Sequence, residues 1–197
     1  MPPVQGRAQG KTQSVEVYSQ TARRLHWWTV ALVAIMIPLG FAMAYRGNDL
    51  NIWDGTTNAM YSMHKLIGFS LLWIMLARLY YRISNGAPAD EPTLEWWQKA
   101  ASHLTHWGLY AVLILMPIGG WIGVSLYGAR DIFGIVSLPQ ITSVDQKASG
   151  TFFFLHKLGA FALVGLLAAH IGAAIYHHAI RKDGVLTRML PGLKRKT

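Results

Sequence analysis

The 197-residue chain predicts an all-α fold, an integral membrane four-helix bundle with both termini in the cytoplasm. Apolar residues make up 52% of the chain and charged residues only 14%, against roughly 25% charged residues in ordinary soluble domains. The apolar residues are also collected in four long runs, each near or above the roughly 20 residues that cross about 30 Å of hydrocarbon. The placement of the positive charges between these runs predicts the orientation.

The four predicted spans cover 26–45, 61–81, 103–126 and 152–176. They must be helices, because lipid offers no hydrogen-bond partner to an open backbone. Pro38 and Pro117 fall inside the first and third spans, where neighbouring helices can satisfy the backbone groups that a proline frees. The long loop 127–150 has room for a short surface helix.

Lysine and arginine are distributed unequally between the two sides of these spans. One side carries thirteen of them: Arg7, Lys11, Arg23, Arg24, Arg78, Arg82, Lys99, Arg181, Lys182, Arg188, Lys194, Arg195 and Lys196. The other side carries Arg46, Lys65, Arg130, Lys147 and Lys157. An excess of positive charge marks the cytoplasmic side, so both termini are predicted there. This pattern explains the basic composition better than a nucleic-acid partner does, and we expect no binding to nucleic acid.

Three regions are predicted along the chain. Residues 1–20 form a flexible polar tail without the apolar segment of a secretory signal, 21–180 form the transmembrane bundle, and 181–197 form a basic cytoplasmic tail. The chain has no cysteine, which excludes disulfides, iron–sulfur clusters and covalently attached c-type haem. Any haem must therefore be held through histidine or methionine.

The chain resembles a duplicated helical hairpin. The second span begins M-H-K-L-I-G-F and the fourth begins L-H-K-L-G-A-F. The first opens L-H-W and reaches I-P-L-G, whereas the third opens T-H-W and reaches M-P-I-G. In this repeat His106 corresponds to His26, and Arg78 corresponds to His170.

All eight histidines lie in or at the edge of a predicted span, where ionisable residues are costly and usually functional. His156 and His170 are 14 residues apart, close to four helical turns and about 21 Å along the axis. They share a helix face, one near each side of the membrane, and can hold two stacked haems. A zinc site fits these residues less well, since ligands at two depths cannot converge on one ion.

Each iron needs a second imidazole at matching depth. His64, near the start of the second span, is level with His156, and His26 is nearest the level of His170. Spacing leaves His106 open as an alternative to His26. Coordination by two histidines leaves no vacant iron position, which favours electron transfer over oxygen activation. Arg78 is a candidate for a haem propionate or for the membrane interface, while His103, His177 and His178 lie towards the cytoplasm.

At these residues the chain resembles the bacterial cytochrome b561 family, over roughly 18–191. The resemblance includes Y-S-Q-T-A-R-R-L-H-W in the first span, M-H-K-x-x-G in the second, H-L-x-H in the third, and the final H-H-x-x-x-K-D-x-x-L-x-R-M-L-P. It is greatest to the short members that oxidise superoxide. The resemblance implies a multi-pass protein of the bacterial inner membrane with two haems b, whose ligands fall on His26, His64, His156 and His170.

The resemblance also implies oxidation of periplasmic superoxide and reduction of ubiquinone. Arg23, Arg24 and His177 are then candidates for the quinone site. Lys65 and Lys157 directly follow the two outer ligands and could attract the superoxide anion. Two alternatives stay open: a membrane anchor that exchanges electrons between a periplasmic redox protein and the quinone pool, and a haem-free helical transporter embedded in the lipid bilayer.

Overall fold

The computed structural model describes residues 16–193, and these form the predicted all-α bundle. The helices are α1 Gln20–Ala44, continued by a π-helical turn Tyr45–Asp49; α2 Gly55–Asn85; α3 Trp96–Tyr127; and α4 Gln146–Tyr176, continued by a π-helical turn His177–Arg181. Each of the four is long and apolar enough to cross a membrane. Every predicted span lies within one of them, and every helix extends beyond its span.

Polar caps explain why the helices begin before the apolar runs do. Ser19, Asp54 and Asp145 stand before α1, α2 and α4, and each side chain accepts the backbone N–H of the residue three positions further on. Such a bond satisfies one of the free N–H groups of a first helical turn. The helices α1 and α3 continue through Pro38 and Pro117, as predicted.

The loop between α3 and α4 differs from the expectation, because it holds a β-hairpin instead of a short helix. The strands β1 Asp131–Ile132 and β2 Val136–Ser137 pair antiparallel. Between them Phe133 and Gly134 take the left-handed conformation, with φ of 56° and 71°, which turns the chain back on itself.

The bundle has two distinct ends. At the termini end, where α1 begins and α4 finishes, the backbone N–H of Tyr18 donates to the carbonyl oxygen of Arg188 at 3.2 Å. At the opposite end, called here the hairpin end, lies the β-hairpin. Most of the predicted N-terminal tail falls outside the described residues, since 1–15 are not among them, whereas of the predicted C-terminal tail only 194–197 are left out. The assignment of the termini end to the cytoplasm stays a prediction.

The centre of the bundle is a small apolar core. Val33, Leu71, Leu113 and Leu163, one from each helix, are all buried and pack in one cluster. Much of the outer surface is also apolar: Phe154, Leu115 and Ile175 expose 60–65% of their surface. A large exposed apolar surface marks contact with a membrane, and on four long helices we assign it to lipid.

Candidate functional site

The central core layer lies between two layers of polar or small residues. Seven residues before and after each core residue, about two helical turns or 10 Å, stand the residues of these flanking layers. The hairpin-end layer contains Gly40, His64, Gly120 and His156, and the termini-end layer contains His26, Arg78, His106 and His170. Side chains within each layer contact one another, so the layers seen in the residue spacing also exist in the packing of the helices.

The hairpin-end layer brings the imidazole rings of His64 and His156 next to each other, with their planes at 74°. Their ring centroids are 5.9 Å apart, and both side chains are half-buried. A metal–imidazole bond is about 2 Å long and the ring centroid lies about 1 Å behind the nitrogen, so two imidazoles on opposite sides of one metal ion have centroids roughly 6 Å apart. The separation therefore fits a site in which His64 and His156 would together hold one iron.

Two glycines on the facing helices leave the space that these imidazoles occupy. A Cβ at Gly40 would lie 3.1 Å from Cε1 of His64, and a Cβ at Gly120 would lie 3.1 Å from Cε1 of His156. Contacts this short require one of the two groups to move. Any residue larger than glycine would thus press on a candidate ligand.

The Nδ1 atoms of the two rings have different environments. His156 Nδ1 lies 3.0 Å from the carbonyl oxygen of Met116. A carbonyl only accepts, so in the neutral ring Nδ1 carries the proton and Nε2 keeps its lone pair, as in many metal-bound histidines. His64 Nδ1 is buried and has no hydrogen-bond partner among residues 16–193. A buried polar atom without a partner is unusual and suits a site that binds a further group.

The termini-end layer holds three imidazoles instead of two. The ring centroid of His170 lies 6.3 Å from that of His26 and 5.3 Å from that of His106. Both separations are near the value for two ligands of one metal ion. The structure thus brings together the pair implied by the resemblance, and it also retains the alternative that sequence spacing left open.

Arg78 also belongs to the termini-end layer. Its Nη2 lies 3.0 Å from Nδ1 of His26, and its guanidinium stands 5.3 Å above the ring of Tyr110. Because arginine can only donate, Nδ1 of His26 accepts, and the proton of the neutral ring is on Nε2. Arg78 thus occupies the lone pair of a candidate ligand, and His26 could offer this lone pair to a metal ion only after the bond to Arg78 is broken.

Beside this layer a groove of about 600 Å³ opens between the first turns of α1 and the segment 189–192. It is lined by Gln20, Arg23, Arg24, Trp27, Trp28, Met189, Leu190, Pro191 and Gly192. Arg23 Nε is buried and has no hydrogen-bond partner among the described residues. Trp27 connects the groove to the candidate ligands, since its ring lies 5.2 Å from that of His26.

His177 does not line this groove, although the sequence grouped it with Arg23 and Arg24. It is buried, and its Nδ1 lies 2.6 Å from Oδ2 of Asp183, which in turn lies 3.5 Å from Nε of Arg181. The structure gives His177 a place in a buried cluster with Asp183 and Arg181 at the end of α4. His103 similarly pairs with Asp90 at 3.1 Å.

The two lysines that follow the hairpin-end histidines have different surroundings. Lys65 Nζ donates to the carbonyl oxygens of Ala129, at 3.1 Å, and of Asp131. It therefore fastens the β-hairpin to α2. Lys157 is exposed on α4, and none of the hydrogen bonds or ion pairs among the described residues involves it.

Sequence reasoning did not identify Gly40 and Gly120 as site residues. Two glycines near His170, Gly165 and Gly172, have open space beside them instead, since an added Cβ would meet nothing within 4 Å. The available signal was the spacing: Gly40 and Gly120 stand 14 residues after His26 and His106, the same interval that separates His156 from His170. Within residues 16–193, no group of three or more His, Cys, Asp or Glu side chains could hold a bare metal ion.

Comparison with known proteins adds to this geometry. A family model described as "Prokaryotic cytochrome b561" matches residues 17–192. The chain is 30% identical to "Cytochrome b561 homolog 1" of Escherichia coli (strain K12) over 183 residues, which cover 90% of this chain and 98% of the relative. It is 29% identical to "Cytochrome b561 homolog 2" of the same organism over 181 residues, with 91% and 94% covered. It is 25% identical to "Probable superoxide oxidase CybB" of Yersinia pestis over 178 residues, with 88% and 96% covered.

Proposed function

Because the chain belongs to the prokaryotic cytochrome b561 family of membrane electron-transfer proteins that bind b-type haem, we propose that it holds two haems b and oxidises superoxide with ubiquinone as the acceptor. The observation that carries this proposal is the presence of a pair of neighbouring imidazoles at each end of the bundle, with ring centroids 5.9 Å and 6.3 Å apart. His64 and His156 would hold the hairpin-end haem, and His26 and His170 the termini-end haem.

The reaction balances as two one-electron oxidations and one two-electron reduction. Two superoxide anions give up one electron each and become two molecules of dioxygen. One ubiquinone takes both electrons and two protons and becomes ubiquinol. A b-type haem held by two histidines would accept one electron and have no open iron position. Superoxide would therefore give up its electron without binding to the iron.

At the hairpin end the chain supplies positive charge near the proposed site of superoxide oxidation. Lys157 is exposed one residue after His156, and Lys65 follows His64. Positive side chains at the mouth of a low-dielectric site raise the encounter rate of an anion. The similarity to a protein named probable superoxide oxidase supports this choice of donor. The two bonds of Lys65 to the hairpin give that residue a structural role as well.

At the termini end the groove beside α1 is the proposed quinone site. Its walls are mostly apolar, as a quinone ring requires, and Arg23 offers a buried Nε that has no partner among the described residues. A donor N–H of this kind would bind a quinone carbonyl oxygen. Trp27 lines the groove and packs against His26, which keeps the path from ligand to groove short.

The proposed orientation places the termini end in the cytoplasm and the hairpin end in the periplasm of a bacterial inner membrane. Among the described residues, the termini end carries eight arginines and lysines: Arg23, Arg24, Arg78, Arg82, Lys99, Arg181, Lys182 and Arg188. The hairpin end carries Arg46, Lys65, Arg130, Lys147 and Lys157. The termini end thus carries the excess of Lys and Arg that is typical of the cytoplasmic side of a membrane protein.

The test is a haem count on the purified protein together with a superoxide assay. We expect about two haems b per chain, and about one after either His64→Ala or His170→Ala. His178→Ala is the matched control, because His178 lies near His170 on the same helix end and is not proposed as a ligand. Addition of superoxide should reduce the haems, and a ubiquinone analogue should reoxidise them. A chain without haem, or one whose haems do not respond to superoxide, would contradict the corresponding part of the proposal.

A second candidate function is that of a membrane anchor for a redox protein on the hairpin side. The tip of the β-hairpin favours it, since Phe133, Ile135 and Val136 expose 43%, 87% and 56% of their surface. Exposed apolar residues of this kind suit a protein contact. Haem reduction that occurs only when a soluble subunit co-purifies, and not with superoxide alone, would favour the anchor.

A further inference from the structure

The termini-end layer contains one imidazole more than a haem requires. His170 has His106 as its nearer neighbour, at 5.3 Å between centroids, and His26 as the more distant one, at 6.3 Å. The hairpin-end layer, by contrast, has glycines at the two positions opposite its pair. The extra imidazole is therefore a specific property of one end of the bundle.

The internal repeat explains why His106 stands at this depth. His106 occupies on α3 the place that His26 occupies on α1, each 14 residues before the glycine that faces a hairpin-end histidine. The repeat is broken on the other two helices, where α4 has His170 and α2 has Arg78. His170 thus lies within reach of two equivalent imidazoles from two different helices.

The hydrogen bonds of the two rings differ in a way that bears on metal binding. His106 Nδ1 lies 3.3 Å from Oγ of Ser102 on its own helix, and a hydroxyl can accept the Nδ1 proton. The lone pair of Nε2 is then free to bind a metal ion. Nδ1 of His26 accepts instead from Arg78, so in this arrangement its Nε2 carries the proton, and His26 can bind a metal ion only when the bond to Arg78 is broken.

We propose that His106 is a reserve axial ligand of the termini-end haem, which pairs with His170 when His26 is missing. The inference rests on the proposed function, because it assumes that His170 holds a haem. It goes beyond that function by assigning His106 a binding role and by predicting that loss of His26 does not empty the site.

The experiment compares His26→Gly, His106→Gly and the double variant, purified as full-length protein. We expect about two haems b per chain in each single variant and about one in the double variant. In His26→Gly, electron paramagnetic resonance should show the termini-end iron as low-spin with two imidazoles, and its g values should differ from those of the wild type. His178→Gly is the control and should retain two haems with unchanged spectra.

Several outcomes would overturn the proposal while the proposed function stands. These are one haem per chain in His26→Gly, a high-spin signal from its termini-end iron, or two haems in the double variant. Titration of His26→Gly with free imidazole gives an independent measurement: a shift to the wild-type spectrum would mean that the position was open and His106 had not filled it. If His26→Gly does not accumulate, His26→Gln is measured in the same way. Failure of the proposed function appears elsewhere, as a wild-type chain without two haems or a His170→Gly variant that keeps both.

Discussion

Gly120 packs directly against His156, so closely that a Cβ at position 120 would stand 3.1 Å from Cε1 and 3.2 Å from Nδ1 of the ring. The same Nδ1 is hydrogen-bonded to the carbonyl oxygen of Met116, one turn earlier on α3. One stretch of α3 therefore both leaves room for the candidate ligand and orients it. A substitution at Gly120 can therefore test the hairpin-end site as directly as a substitution at His156.

Gly120→Ala should weaken the hairpin-end haem site, because the new methyl group forces the ring or the helix to shift. Overpacking in a tight interior costs typically about 1–3 kcal/mol. We expect the haem content to fall below two per chain and the visible spectrum of the remaining hairpin-end haem to change. Gly119→Ala is the matched control, since a Cβ at Gly119 meets nothing within 4 Å. Equal haem content in the two variants would contradict the close approach.

Arg78→Met should lower the reduction potential of the termini-end haem. Arg78 stands 3.0 Å from His26, and a nearby positive charge favours the reduced, less positive form of the iron. A loss of about 1.4 kcal/mol of such stabilisation corresponds to about 59 mV for one electron. A redox titration measures the shift. Arg82→Met, which removes a guanidinium packed 5.7 Å from the ring of Trp107, should give a smaller one.

Lys157→Gln should slow haem reduction by superoxide without altering the fold, because this exposed side chain has no partner among the described residues. The rate at low salt should fall by up to about 10-fold, and the two rates should converge as salt rises. Lys182→Asn removes the same charge at the termini end and should leave the rate unchanged. A rate that is independent of salt in the wild type would rule out attraction by charge.

Lys65→Gln should instead loosen the β-hairpin. Lys65 holds the carbonyl oxygens of Ala129 and Asp131, so its loss frees β1 from α2. Limited proteolysis should cut the hairpin faster in Lys65→Gln than in Lys157→Gln. Equal cleavage of the two variants would show that these bonds do not hold the hairpin in place.

Arg23→Gln should raise the KM for a soluble ubiquinone analogue while both haems remain bound. The buried Nε is the donor proposed for a quinone carbonyl oxygen, and a hydrogen bond to a charged group contributes about 1.5–3 kcal/mol. That range corresponds to a rise in KM of roughly 10-fold or more. Lys99→Gln, at the same end on α3, is the control for loss of charge. An unchanged KM would remove Arg23 from the quinone site.

Asp54→Ala should lower the thermal stability of the bundle near neutral pH. The N–H of Thr57 donates to the Asp54 carboxylate and holds its pKa below the ordinary value, and Arg46 adds an ion pair at 2.8 Å. A lowered pKa stabilises the fold above the unfolded-state pKa, and this stability is lost as the pH falls through the folded-state pKa. The melting temperatures of the wild type and the variant should therefore converge only at pH values below about 3.8. Asp54→Asn should lose less, because an asparagine can still cap α2.

The amino-acid sequence by itself determined the four helices, because a long apolar run can satisfy its backbone hydrogen bonds in lipid only as a helix. It also determined the depths of His26, His64, His156 and His170, since a helix converts residue spacing directly into distance along its axis. The helix starts were predicted too late, because Ser19, Asp54 and Asp145 cap turns that lie outside the apolar runs. The spacing of residues along one helix does not specify which face of a neighbouring helix these residues contact.

Only the tertiary structure decided the contacts between helices. The packing of α3 on α4 brought Gly120 against His156 and His106 against His170. The contact between α2 and the β-hairpin gave Lys65 two carbonyl partners, and the fold of the segment after α4 placed His177 against Asp183 and not in the groove that holds Arg23. These outcomes depend on how the helices rotate about their own axes, and that rotation is set by the packing of all four helices together.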